Sequence, residues 1–151
     1  MFKLSVKVEY GILAVLALSL HEDKAIIPLS ARAIAEKENL SIRFLEQAMN
    51  DLKERGVIES VRGPYGGYRL SKSSKEITLL DVILAIYGGG RGQQSGRPRI
   101  LSEFLPKSTI LHDVVAGIDT ALENHLKAID FDTLSRRARA LEESSALMFH
   151  I

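Results

Sequence analysis

Arg43, Glu46, Gln47 and Asn50 fall within about two turns of one helical stretch, and their guanidinium, carboxylate and amide groups suit base edges as donors or acceptors. A short way on, Arg62 opens the run Arg62-Gly63-Pro64-Tyr65-Gly66-Gly67-Tyr68. The glycines allow positive φ and Pro64 fixes its own, so the run must turn and carry Arg62 at its tip. A guanidinium so placed suits a minor groove, where narrow A·T-rich DNA deepens the negative potential. The bland alternative, a solvated surface arginine, is weakened by the glycine and proline around it. Ser41 stands just before the polar face, as helix cap and phosphate donor, and Tyr68 reads as part core, part phosphate ligand.

Other chemistries find little support. His112 and His125 are thirteen residues apart on one expected helix, about 220° around it, so they do not chelate one metal within a chain. His125 lies beside an apolar stripe and reads as a buried or interfacial imidazole. His112-Asp113 lacks the second His-Asp cluster of a metal-dependent hydrolase, and no Ser/His/Asp set or paired carboxylates rise above chance spacing. The chain is expected not to be an enzyme. There is no cysteine among the 151 residues, which removes disulfides and thiolate metal sites. No cofactor and no metal site is expected.

The elements that must position these groups follow from periodicity. Leu45, Ala48, Met49 and Leu52 recur at three and four, so a helix from Ser41 buries one face and frees the other. Phe44 and Leu45 are read as packing. Gly56 after Arg55 stops that helix. Val57 to Val61 alternates as a strand, and Tyr68-Arg69-Leu70 returns as its partner. Upstream, Ser5 to Leu20 reads as a helix, with Lys3 and Lys7 at its amino end either meeting phosphates or simply solvated. Ile26-Ile27-Pro28-Leu29 is extended, Ser30 caps a short helix over Ala31 to Lys37, and Glu38-Asn39 turns into the polar-faced helix. Helix, turn, helix and hairpin make a winged helix-turn-helix plan.

Beyond the hairpin, Ser71 to Lys75 is polar, and Thr78-Leu79-Leu80-Asp81 fits a capping box. Gly88 to Pro98 is a glycine-rich loop matching neither a Walker nor a dinucleotide fingerprint. Ile100 to Leu105 suits one helical turn, and Ser108 caps the longest helix, to about Ile129. Its stripe of Leu111, Val115, Ile118, Leu122, Leu126 and Ile129, widened by Val114 and Ala121, packs either on its own domain or on a second copy. Asp132 is expected to cap a last helix through Leu134 and Leu141, with Arg136, Arg137 and Arg139 as a solvated face. Ser144 to Ile151 either frays or docks through its apolar Leu147, Met148 and Phe149.

The stretch Leu40 to Leu70 resembles the Rrf-type bacterial transcription regulators, the group that includes IscR, NsrR and CymR. Carrying the resemblance are Leu40-Ser41 with Phe44-Leu45-Glu46-Gln47, the wing Val61-Arg62-Gly63-Pro64, and Gly66-Gly67-Tyr68. Val8-Glu9-Tyr10-Gly11-Ile12-Leu13-Ala14 matches the family's first helix. The match is strong over roughly the first ninety residues, about a domain, and holds in outline beyond. It implies that Ser41, Arg43, Glu46, Gln47, Asn50 and the wing Arg62, Gly63, Pro64, Tyr65, Gly66, Gly67 and Tyr68 meet double-stranded DNA. It also implies that Leu111, Val115, Ile118, Leu122, Leu126 and Ile129 pair two copies across a two-fold axis. Many relatives hold an iron–sulfur cluster on three cysteines after the wing. Here Ser95, Ser102 and Ser108 stand near those positions, and a cluster has no ordinary anchor. Relatives without cluster ligands imply sensing through an effector protein or small molecule. Glu9 stands where a few members place an acidic ligand; alone it reads as structural.

A net charge of +1 announces no nucleic acid globally, but Arg43, Arg62, Arg69 and Lys72 suffice for a local basic edge. No run approaches the ~20 apolar residues of a membrane span: Leu4 to Leu20 comes nearest and is interrupted by Ser5, Lys7, Glu9 and Tyr10. It also lacks a signal-peptide cleavage site. The expectation is a mainly α fold with a small β-hairpin wing. The divisions are 1–87 as winged helix-turn-helix, 88–107 as a flexible effector-region loop, and 108–151 as dimerisation and C-terminal helices. The protein is expected to be a cytoplasmic, homodimeric transcription regulator with no membrane partner. The alternative is a protein-interaction module of the same fold that has lost DNA binding.

Overall fold

Apolar residues surround most of α1 (Val6–Glu22), and a helix of that kind must be covered on several sides. In the computed structural model, which describes residues 4–22, 27–88 and 109–149, α1 is the hub against which α2, α3, α4, α6 and the second strand pack. The order is α1, α2 (Ala31–Glu38), α3 (Ile42–Glu54), β1 (Ile58–Val61), β2 (Gly67–Leu70), a 3-10 turn (Ser74–Glu76), α4 (Leu79–Tyr87), α5 (Thr109–Lys127) and α6 (Phe131–Met148). This is the expected mainly helical chain with one antiparallel hairpin. The loop expected over 88–107 lies, apart from Gly88, outside the described residues. So do the readings made for Lys3, Ile26, Ser95, Ser102, the turn at Ile100 to Leu105 and the Ser108 cap.

One apolar core joins the parts. Val15 and Leu18 of α1, Ile34 of α2, Leu45 and Met49 of α3, Ile58 of β1 and Ile83 of α4 are all buried in it. Leu126 of α5 and Phe131 of α6 belong to the same cluster. The chain between α5 and α6 is pinned there by backbone bonds: Leu79 N–H donates to the Ile129 carbonyl at 2.9 Å and Phe131 N–H to the Ile77 carbonyl at 3.0 Å. Ser19 and Ser135, both buried, satisfy one another, their hydroxyl oxygens 2.5 Å apart. The Thr78–Asp81 capping box is present as expected. Val57 and Ile58 are both buried, so the strict alternation read for Val57 to Val61 is not kept; Val57 lies in the turn that leads into β1.

The last helix begins earlier than expected. Asp130, not Asp132, is its cap, in an extended conformation with Thr133 N–H donating to its carboxylate at 2.8 Å and the Thr133 hydroxyl at 3.0 Å. The bridge between Thr78 and Asp130 fixes the extended residue from which this helix starts. Asp132 is already inside the helix, paired at 3.0 Å with Arg136. The Thr133 N–H bond, above all, holds the Asp130 carboxyl below its ordinary value of 3.8. Asp130→Ala is therefore expected to lower stability by about 1 kcal/mol. Because the folded state favours the anion, that difference should be complete above the ordinary value and disappear as pH falls below it. Chemical denaturation of both proteins from neutral to acid pH measures it.

Candidate nucleic-acid interface

Leu45, Ala48, Met49 and Leu52 of α3 are fully buried, which fixes the rotation of the helix. Arg43, Glu46, Gln47 and Asn50 are consequently exposed, as the sequence implied. At 1.5 Å per residue the 13 residues of α3 span roughly 20 Å, and a major groove about 12 Å wide admits a helix. Asn50 donates to Glu54 at 3.2 Å, holding both heads along the outer face.

Three readings of this helix are corrected. Phe44 does not pack: it is 54% exposed on the flank of the polar face, because at 100° per residue it stands a quarter turn from Leu45. Ser41 occupies the cap position but makes no side-chain cap bond. Instead its backbone N–H donates to the Tyr10 hydroxyl of α1 at 3.4 Å, so the entry to α3 is set by a tyrosine from the first helix. Lys7 of α1, whose side chain stays partly exposed, is ion-paired with Asp51 on the inner side of α3 rather than left for phosphates. Tyr10, Lys7 and Asp51 therefore position the helix, and no periodic pattern in the chain marks them for it.

The turn into α3 runs through Asn39 in the left-handed region (φ 52°), with Leu40 N–H donating to the Ala35 carbonyl at 2.8 Å. After α3 the hairpin pairs Ile58 with Leu70, Glu59 with Arg69, Ser60 with Tyr68 and Val61 with Gly67. Gly63 turns the tip with φ 121°, a backbone that favours glycine. Gly67 is needed for a different reason: a Cβ there would lie 2.7 Å from the Leu29 carbonyl. That closeness lets Leu29 and Tyr68 exchange backbone bonds of 3.0 and 2.9 Å, tying the wing to the strand-like segment before α2. Arg62, Gly63, Pro64 and Tyr65 are exposed at the tip, Tyr65 to 78%. Gly66 is half-buried, and so is Tyr68, which packs on the core.

Electrostatics narrow the basic edge. Arg69 is paired across the hairpin with Glu59, so Arg43, Arg62 and Lys72 are its remaining cations, and none of them has an ion-pair partner among the described residues. At the end of α1, partial desolvation pushes the Glu22 carboxyl above its usual range, outweighing the Leu70 N–H and the charges of Arg69 and His21.

The α5 stripe divides in two. Val115 and Leu126 are buried, and Leu122 packs against the core, so these residues hold the helix on its own chain. Ile129, expected on the same stripe, lies past the helix end and is half-buried. Ile110, Leu111, Val114 and Ile118 are exposed, Ile118 to 48%, and Ala121 and His125 share this open side. His125 is thus exposed rather than buried within the chain. Beyond Ala140 every described residue of α6 is exposed, yet the helix continues to Met148 rather than fraying at Ser144.

An outward polar helix with a glycine-tipped hairpin directly behind it defines a winged helix-turn-helix protein, a DNA-binding class. Comparison with known proteins narrows the class. The family model described as Rrf2, iron-dependent transcriptional regulator, matches residues 4–137, and the chain belongs to this family of transcription regulators. It is 34% identical over 128 residues to the HTH-type transcriptional regulator IscR of Vibrio atlanticus (strain LGP32), covering 76% of this chain and 73% of that protein. Among solved structures it is similar to CymR of B. subtilis, the global cysteine regulator, at a TM-score of 0.73 and 28% identity, over 91% of this chain and 98% of that one. IscR of T. potens gives a TM-score of 0.69 at 28% identity, over 91% and 88%.

The family description raises the question of iron. No cysteine occurs in the sequence, and no group of three or more His, Asp or Glu side chains able to hold a metal occurs among the described residues. The donor set does not fit a thiolate-held cluster.

Proposed function

We propose that this regulator acts as a homodimer on a pseudo-palindromic operator, as a repressor. Two α3 helices would enter successive major grooves, about one helical turn or a multiple apart, with Arg62 and its neighbours alongside in the minor groove. The carrying observation is the shared exposure of Arg43, Glu46, Gln47 and Asn50 on α3 beside an exposed Arg62. Those side chains would read base edges, while Ser41 and Tyr68 would meet phosphates. The open side of α5, with Leu111 and Ile118, supplies a surface for a second copy.

On this reading 1–87 binds DNA, 88–107 receives an effector protein or small molecule, and 108–151 dimerises. No catalysis is assigned to the chain. No helix among the described residues is long and apolar enough to cross a membrane, in keeping with a cytoplasmic regulator that meets the chromosome directly. The competing reading is an interaction module that has lost DNA binding, and the unobstructed α3 face speaks against it. Fluorescence anisotropy with genomic duplex fragments over a salt series separates the two. Binding should weaken steeply as salt rises, because phosphate contacts release counterions. Affinity absent even at low salt would favour the interaction module.

A further inference from the structure

Past the C-terminal end of α3 lies a half-open cleft of about 180 Å³, bordered by the end of α3, the start of β1, the chain leaving β2 and one side of α4. Val57, Ile77, Leu84 and Ala85 line it with apolar surface, and Arg55 and Lys72 line it with positive charge. We propose that this cleft binds a small organic carboxylate with an apolar ring or chain, and that its occupation is transmitted to α3; the second half rests on the DNA-binding reading above.

Size, floor and charge select this class of ligand. An apolar cavity of about 150 Å³ holds a benzene ring, so the space matches one ring or a short chain. Val57, Ile77 and Ala85 form a buried floor, and the apolar surface still open to water is mainly that of half-buried Leu84, which a ligand body would cover. Arg55 offers a planar fork to a carboxylate, and Lys72 has no ion-pair partner among the described residues. Asp81 also lines the cleft, where the Thr78 N–H and hydroxyl both donate to its Oδ2 at 2.9 Å. Its negative charge disfavours a dianion such as phosphate and leaves a single carboxylate as the better match.

Transmission follows from what Arg55 does without a ligand. Its guanidinium donates to the carbonyl of Gly88, the residue that ends α4. A carboxylate brings full negative charge and can accept two parallel N–H bonds from the guanidinium where the Gly88 carbonyl accepts one, so ligand binding would draw Arg55 from Gly88. Arg55 is also the C-cap of α3, its N–H bonded to the Asp51 carbonyl at 3.1 Å. Asp51 is the residue paired with Lys7 of α1. Movement of Arg55 therefore acts on the last turn of the DNA-facing helix and on its anchor.

Benzoate is the probe. Titrated into the ¹⁵N-labelled full chain, it should shift the Gly56, Val57 and Ala85 amides saturably, while benzamide and inorganic phosphate at equal concentration should not. Arg55→Gln, and separately Lys72→Gln, should each weaken benzoate about tenfold, the loss of one charged hydrogen bond. At constant ionic strength benzoate should alter duplex affinity of the parent protein and leave that of Arg55→Gln unmoved. No saturable shift at these amides, equal response to benzamide, or unchanged affinity in both variants overturns the site. An Arg55-dependent benzoate site with duplex affinity unmoved overturns the transmission. Saturable benzoate shifts in a chain that binds no duplex support the site while removing the DNA reading.

Discussion

Arg62→Ala should weaken duplex binding about 10- to 100-fold, the loss of one well-placed base or groove contact, without altering the thermal stability of the free protein. The basis is the hairpin's own construction. Arg62 is exposed at the start of a tip whose path is set by Gly63 at φ 121° and by the close approach of Gly67 to Leu29. Nothing in the fold depends on its guanidinium, which has no ion-pair partner among the described residues. The loss should be larger on A·T-rich flanks, where the narrow groove focuses negative potential. The salt dependence should become shallower by about one counterion per arginine removed. Arg62→Lys keeps the charge and should restore the salt dependence more fully than the preference for A·T flanks. Anisotropy titrations on paired flanks measure both, and equal affinity for Arg62→Ala and the parent protein would remove the wing from the interface.

Ile118→Asp should have the larger effect, by a different route. Ile118 lies on the open side of α5, with Ile110 and Val114, while Val115 and Leu126 on the adjoining side hold the helix to its own core. A carboxylate at 118 therefore leaves the chain's internal packing in place but must be desolvated if two such surfaces meet. The variant should sediment as a monomer. Its affinity for a duplex carrying two half-sites should fall by more than about 100-fold, because linking two binding modules contributes 10²- to 10⁴-fold in avidity. Affinity for a single half-site should change little. A variant that remains dimeric would place the self-association surface elsewhere.

Strongly periodic elements were legible from residues alone. The buried set of α3, the capping box at Thr78 and the hairpin tip each follow from spacing or from a residue with few conformational options. What escaped depends on contacts distant in sequence. Tyr10 reaches Ser41 and Lys7 reaches Asp51 only once α1 and α3 are packed together. Phe44 and Leu45 both read as packing, yet only Leu45 is buried, because core membership on a helix is decided by angle. Asp132 and Asp130 are chemically equal as caps; the bridge from Thr78 chooses between them. The α5 stripe is too wide for one role, and no local pattern says which half its own chain covers.

Selection of bound duplexes from a random-sequence pool by the purified full chain is the most direct measurement. The enriched sequences should form an inverted repeat, with half-site centres one helical turn or a multiple apart and A·T-rich positions where the wings lie. A pool that stays unenriched at low ionic strength, or that yields a single unrepeated element, would contradict a two-fold pair of α3 helices reading DNA.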